Sequence, residues 1–261
     1  MISSLSNPKV KQVVQWKNSA GKRRDGNIFL AEGFKMWEEA PEESLREIYA
    51  TPEALEKIGR HPLWREKLKR TKWETVTEEV FRKMSDTQSP QGVLCVVERP
   101  VYRIEQLLEA KNPLLVVLED LQDPGNLGTI VRTGEGAGIT GIVMNDTTVD
   151  IYNPKTIRAT MGSIYRVPFV RVEDLPGAVR RMREKGICVY AAHLAGETYY
   201  DSFSFRQGSA FLIGNEGRGL GRELANCADS LLKIPMEGHV ESLNAAVSAA
   251  LLMYEARRQR S

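Results

Sequence analysis

The chain is poor in the residues on which metal and thiol chemistry depend: its 261 residues include three cysteines and three histidines. Cys95, Cys188 and Cys227 lie far apart, with neither paired metal-ligand spacing nor an even disulfide count, and read as reduced core residues. Cys95 and Cys188 fall inside strand-like apolar runs, where a small thiol packs well. His61, His193 and His239 are equally scattered, so no metal site and no histidine-based triad is expected. No apolar run approaches the roughly 18 residues of a spanning helix, and Met1–Asn7 lacks the apolar centre of a signal peptide. A cytoplasmic protein without membrane contact is the expectation. Charge of one sign is also scarce. The net charge is +2, which by itself argues weakly for a polyanionic partner.

Present instead is an ordinary globular composition, 42% hydrophobic and 27% charged, long enough for one large domain or two ordinary ones. Residues 1–111 carry 20 Lys and Arg against 17 Asp and Glu, and the remainder 16 against 17. The basic excess therefore sits at the very start. Lys9, Lys11, Lys17, Lys22, Arg23 and Arg24 all precede the first acid, Asp25. Such a segment can track a phosphate backbone, and equally fits a solvated helix face. Lys9, Lys11, Lys22, Arg23 and Arg24 are the candidate contacts to such a backbone.

Local patterning divides the chain. Asn7 and Pro8 open a helix over 8–16. Residues 28–33 read as a strand running into a loop, 34–40 as a helix, 45–50 as a strand, 52–58 and 77–84 as helices, and 92–97 as a closing strand. This first half, residues 1–99, is a small α/β unit. A linker with a short amphipathic helix follows over 100–112, bounded by Arg99-Pro100 and Asn112-Pro113. In residues 113–261, apolar runs at 114–118, 141–144, 187–191, 210–213 and 231–234 alternate with helical patterns. Near-continuous apolar strands separated by helices predict a parallel sheet covered on both faces.

Parallel α/β sheets place ligands beyond the carboxyl ends of their strands, and three loops there are unusual. The first runs Asp120-Leu121-Gln122-Asp123-Pro124-Gly125-Asn126-Leu127-Gly128, a tight turn before a helix carrying Arg132 within about two turns of its start. Taken alone, Arg132 is equally a surface arginine. The second, Gly214-Asn215-Glu216-Gly217-Arg218-Gly219-Leu220-Gly221, lets backbone approach a ligand closely. It lacks both the Lys-Ser/Thr ending of a P-loop and the glycine spacing of a Rossmann turn, which favours a nucleoside site without phosphate cradling. The third, from Ile234 to Asn244, leads into an Ala-rich helix ending near Arg257, and Ser242 or Asn244 either caps that helix or binds a ligand. Gly134-Glu135-Gly136-Ala137-Gly138 follows a helical stretch and is rejected as a phosphate loop. Glycine there costs up to about 1 kcal/mol relative to alanine, which predicts a short or frayed helix.

Together the three loops resemble the motifs of the SpoU (TrmH-like) RNA methyltransferases of the SPOUT class. The matching residues are Asp123–Gly128 with Arg132, Gly214–Gly219, and Ile234–Met236 with Ser242–Asn244, spread over 113–261. A weaker resemblance links Ser4–Lys11 and Phe29–Gly33 to the ribosomal-protein-like RNA-binding domain that precedes many such enzymes. The resemblance implies an α/β fold whose C-terminal SPOUT domain carries a trefoil knot, a rare exception to ordinary chain topology. It also implies S-adenosylmethionine as cofactor, held by Gly214, Ile234, Met236 and Leu243, and a homodimer through the C-terminal domain that completes each site. Asn126, Arg132, Glu216, Ser242 and Asn244 match catalytic positions. The implied reaction is methylation of a ribose 2′-hydroxyl, with 23S ribosomal RNA preferred over transfer RNA because of the separate front domain. A guanidinium with a pKa above about 12 is a reluctant base, so Arg132 is expected chiefly to stabilise an oxyanion and grip a phosphate. Two rival classes are a catalytically silent RNA-binding relative, disfavoured by the intact Asn126, Arg132, Glu216 and Asn244, and a nucleotide-dependent oxidoreductase, disfavoured by the glycine spacing.

Overall fold

The computed structural model describes residues 1–239 and 242–261 and has an α/β architecture in two compact units. The first unit comprises residues 1–101 and 152–165, the second 102–151 and 166–261.

In the first unit α1 (Pro8–Asn18) opens as the sequence dictates, with Asn7 Oδ1 accepting the Lys9 N–H at 2.9 Å and Pro8 in the first turn. Then follow α2 (Ala20–Asp25), β1 (Ile28–Glu32), α3 (Phe34–Glu39), β2 (Leu45–Ala50), α4 (Pro52–Arg60), α5 (Pro62–Lys69), β3 (Trp73–Thr75), α6 (Glu78–Met84) and β4 (Val93–Glu98). The strands lie in the order β1-β4-β2-β3, with β4 antiparallel to both neighbours and β2 parallel to β3. Apolar residues from α1, α6 and the sheet, among them Val10, Val13, Leu30, Val80 and Phe81, form its core. Neither α5 nor β3 is evident from patterning, because α5 buries no residue and β3 has three. Residues 152–165 pack with this unit: Tyr152 stacks on Phe29 at 5.0 Å, Tyr165 Oη donates to the Met36 carbonyl, and Arg158 pairs with Asp86 at 2.6 Å.

The second unit begins at α7 (Ile104–Leu108), inside the segment read as a linker; Ile104, Leu107 and Leu108 belong to its core. Next come β5 (Leu114–Leu118), α8 (Pro124–Ala137) and β6 (Gly141–Asn145). The chain then passes through α9 (Pro154–Thr160) of the first unit and returns in β7 (Phe169–Val172), α10 (Leu175–Glu184), β8 (Cys188–Ala192), β9 (Thr198–Tyr199), β10 (Ser209–Ile213), α11 (Arg222–Ala225), β11 (Ser230–Lys233) and α12 (Ala245–Arg260). Seven strands in the order β7-β6-β5-β10-β8-β11-β9 pair in parallel throughout. Every residue of β5 and β10 is buried, as apolar strands covered on both faces require. The order brings the carboxyl ends of β5, β10, β8 and β11 side by side.

Helix α8 corrects two expectations. It starts at Pro124, so Gly125, Asn126 and Gly128 occupy its first turns rather than the preceding turn. It also continues unbroken to Ala137. Its glycines permit close packing: a Cβ on Gly134 would overlap the Ile139 side chain, and one on Gly136 would lie 2.9 Å from Tyr254 Oη of α12. The propensity penalty is offset by that packing.

Candidate active site

Four loops leave the adjoining carboxyl ends, and those after β8, β10 and β11 line a cavity of about 310 Å³, whereas Asn126, at the start of α8 after β5, and Asn244 lie outside its lining. Gly214, Ile234, Met236, Ser242 and Leu243 all line it, as do Leu220 and Leu232. At Gly214 the backbone comes so near Gly219 and Leu220 that a Cβ has no room. The fourth loop, Ala192-His193-Leu194 after β8, also lines the cavity and escapes sequence reading, since it carries no glycine, proline or charge cluster.

Glu216 ties the loops together. Its Oε1 accepts the Asp123 N–H and Asn126 Nδ2, both at 2.9 Å, and its Oε2 accepts the Gln122 N–H at 3.0 Å. Asn126 Oδ1 in turn accepts Asn244 Nδ2 at 2.9 Å. Asn244 Oδ1 caps α12 by accepting the N–H groups of Ala246 and Val247. A continuous Glu216–Asn126–Asn244 chain thus links all three sequence motifs. Burial pushes the Glu216 carboxyl up, but the Asn126, Gln122 and Asp123 donors outweigh it and hold it below the usual glutamate range. The group is ionised at neutral pH.

Beneath this chain lies a second cluster that patterning did not single out. Asp120 has left-handed backbone geometry, φ 55°. Its carboxylate accepts hydrogen bonds from Thr147 Oγ1 and from Asn145 Nδ2 (2.7 Å), and these hold it below the usual aspartate range against a smaller effect of burial. Its carbonyl accepts Asn215 Nδ2 at 2.8 Å. Nearby, Glu119 Oε2 accepts the Gly221 N–H at 2.6 Å. The partners are remote in sequence, which is why spacing does not reveal them.

Arg132 stands apart. It lies on α8, exposed, outside the lining of the cavity, and has no polar partner among the described residues. Of the candidate RNA contacts, Lys9 is clasped by Glu47 (2.7 Å) and Glu74 (2.6 Å), while Arg23 is buried and donates to the Trp16 and Lys17 carbonyls. Lys11, Lys22 and Arg24 are exposed. Among the described residues no group of three or more His, Cys, Asp or Glu is placed to hold a metal, and no helix is long and apolar enough to cross a membrane.

Residues 113–254 match the model of the SpoU rRNA Methylase family. The chain belongs to this family. Residues 7–95 match an MRM3-like substrate binding domain. Over 98% of both chains it is 35% identical to the 23S rRNA guanosine 2′-O-methyltransferase RlmP of Bacillus subtilis. Among solved structures, an AdoMet-bound rRNA methyltransferase from Sinorhizobium meliloti superposes with TM-score 0.87 at 31% identity, covering 98% of this chain and 97% of that one. The SpoU methyltransferase AviRb from Streptomyces viridochromogenes, in complex with AdoMet, gives TM-score 0.86 at 28% identity over 97% and 98%. Membership makes the chain an RNA methyltransferase.

Proposed function

We propose that the chain methylates a ribose 2′-hydroxyl of RNA, with 23S ribosomal RNA as substrate ahead of transfer RNA. The observation that carries this reading is the Glu216–Asn126–Asn244 chain, which gathers three family motifs beside one cavity. The preference for 23S RNA draws support from the Bacillus relative and from the separate substrate-binding unit.

S-adenosylmethionine is the methyl donor. The residues present fit it: the absent side chain at Gly214 lets the Gly214–Leu220 loop fold tightly on itself at the cavity wall, and Ile234, Met236 and Leu243 offer apolar surface to an adenosyl group. A cavity of about 310 Å³ is at the lower end of ligand-site volumes, roughly 300–1,000 Å³. When bound, the cofactor supplies an electrophilic methyl group on a sulfonium. The protein supplies alignment of the attacking oxygen, which alone can contribute several kcal/mol. Glu216 holds Asn126, Asn126 holds Asn244, and with Ser242 they fix the ribose. Arg132 stabilises the alkoxide that develops as the hydroxyl proton leaves to water, and grips the adjoining phosphate.

Because Arg132 lies outside its own cavity, the site is completed by Arg132 of a second copy. Exposed Val247, Leu251 and Tyr254 on α12 border a groove with Thr129 of α8 and form the pairing face of a homodimer. The knot belongs to the same reading; likeness to SpoU structures over nearly the whole length supports it. The first unit, with Lys11, Lys22 and Arg24 exposed, binds RNA, and the second, which includes α7 of the 100–112 segment, transfers the methyl group in a cytoplasmic enzyme.

The test is incubation with methyl-labelled S-adenosylmethionine and, separately, protein-free 23S and transfer RNA, with Arg132→Ala alongside. Label at one ribosomal 2′-oxygen, absent with the variant, is the expected result. Label confined to transfer RNA would reassign the substrate, and label on a base would refute ribose methylation.

A further inference from the structure

We propose that Arg218, which neither the motifs nor the comparisons single out, is a phosphate-binding residue for the RNA substrate, held in readiness at the cavity by Asp120. The inference rests on the methyltransferase reading above.

The backbone under Arg218 is fixed while its side chain is not. Asn215 Oδ1 accepts the N–H groups of Gly217 and Arg218, both at 3.0 Å. Asn215 and Gly219 also exchange two backbone hydrogen bonds of 3.1 and 2.9 Å across the turn. The Arg218 side chain is nevertheless 77% exposed, and its ion pair, with Asp120 Oδ2, is loose at 3.4 Å. Exposed pairs of this kind are weak. Asp120 does not depend on it, since Asn145 and Thr147 occupy the other carboxylate oxygen and Asn145 Oδ1 anchors the Asp120 N–H. The guanidinium is therefore free to exchange partners without leaving a stranded carboxylate behind.

Its position gives the exchange a purpose. Arg218 and Glu216 are two residues apart on one loop and both line the cavity. Glu216 cannot capture the guanidinium cheaply, because its oxygens already serve Gln122, Asp123 and Asn126. A ribose whose 2′-hydroxyl reaches this site carries its 3′-phosphodiester on the neighbouring carbon. A planar guanidinium suits that group, giving two parallel N–H···O bonds to non-bridging oxygens. By contrast, Arg183 is tied to Asp229 at 2.7 Å and does not line the cavity.

The test compares wild type, Arg218→Gln, Arg183→Gln and Asp120→Asn for binding of end-labelled, protein-free 23S ribosomal RNA across a potassium chloride series. Calorimetry of S-adenosylmethionine is run on the same preparations. One phosphate contact contributes about 0.7–0.9 to the slope of log affinity against log salt. Arg218→Gln should flatten the slope by that amount and weaken RNA binding several-fold at low salt, with the cofactor Kd within twofold of wild type. Arg183→Gln should keep the wild-type slope. Asp120→Asn, which retains an acceptor for Asn145 and Thr147, should bind RNA at least as tightly as wild type. An unchanged slope in Arg218→Gln overturns the proposal, as does an equal flattening in Arg183→Gln or a large rise in cofactor Kd, which would mean loop collapse. Methyl transfer by wild type is read in parallel. Its absence overturns the methyltransferase reading and the assignment of Arg218 with it, whereas its presence with an unchanged slope overturns the arginine alone.

Discussion

Replacing Glu216 with glutamine changes one atom and inverts one hydrogen bond. The amide oxygen can keep the Asp123 and Asn126 donors, but its NH₂ then faces the Gln122 N–H, donor against donor. Losing a hydrogen bond to a charged group costs about 1.5–3 kcal/mol when buried. Glu216 is an exposed residue, so water recovers part of that and about 1 kcal/mol is expected. In a protein of this size that is roughly a 2–4 °C fall in Tm. The effect on catalysis should be larger, because Asn126 loses its charged anchor and the groups that fix the ribose lose register: a fall in kcat of more than about tenfold, or over about 1.4 kcal/mol in barrier. Calorimetric Tm, cofactor Kd and single-turnover methylation separate these effects. Wild-type turnover with the Tm shift present would refute the role assigned to the chain of amides. There is also a pH signature. The folded-state pKa of Glu216 is lowered, so its stabilisation is present above the unfolded value near about 4.3 and lost as pH falls through the lower folded value. The difference in Tm between wild type and Glu216→Gln should accordingly shrink on acidification.

Asn244→Ala removes both the cap on α12 and the link to Asn126; stability should fall by about 1 kcal/mol, and turnover should fall beyond what a cap-restoring Asn244→Ser recovers. Gly134→Ala gains helix propensity but drives a methyl into Ile139, for a net loss of about 1–2 kcal/mol. Gly59→Ala, on an α4 position with open space around it, should instead stabilise by about 0.5–1 kcal/mol, and the two Tm shifts should have opposite signs. Lys9→Met leaves Glu47 and Glu74 facing each other without their shared cation; urea titration should show a loss of about 1 kcal/mol, and RNA affinity that fell without any stability loss would contradict its structural assignment.

How much was legible follows from where the information sits. β5 and β10 declare themselves because burial on both faces demands unbroken apolar runs. β7, half-buried along its length at the edge of the sheet, and β9, with two residues, carry no such pattern. Three site loops show through their glycines and prolines, whereas Ala192–Leu194 is chemically plain and becomes visible only once strand order is known. Charge was the poorest guide. Lys9 and Arg23 belong to the cationic opening segment, yet one is clasped by acids 38 and 65 residues away and the other is packed inside. Sequence proximity reports the sum of charges, not their partners.

The residues 152–165 give the molecule an interleaved inheritance. The methylase family match runs through them without a break, yet their side chains complete the unit that carries the other match, placing Tyr152 on Phe29 and Arg158 on Asp86. Fragment 1–101 by itself would bare the Phe29 ring that Tyr152 covers. Two relatives could therefore trade front units and keep both folds intact only if this short stretch of the rear sequence travelled with the front one.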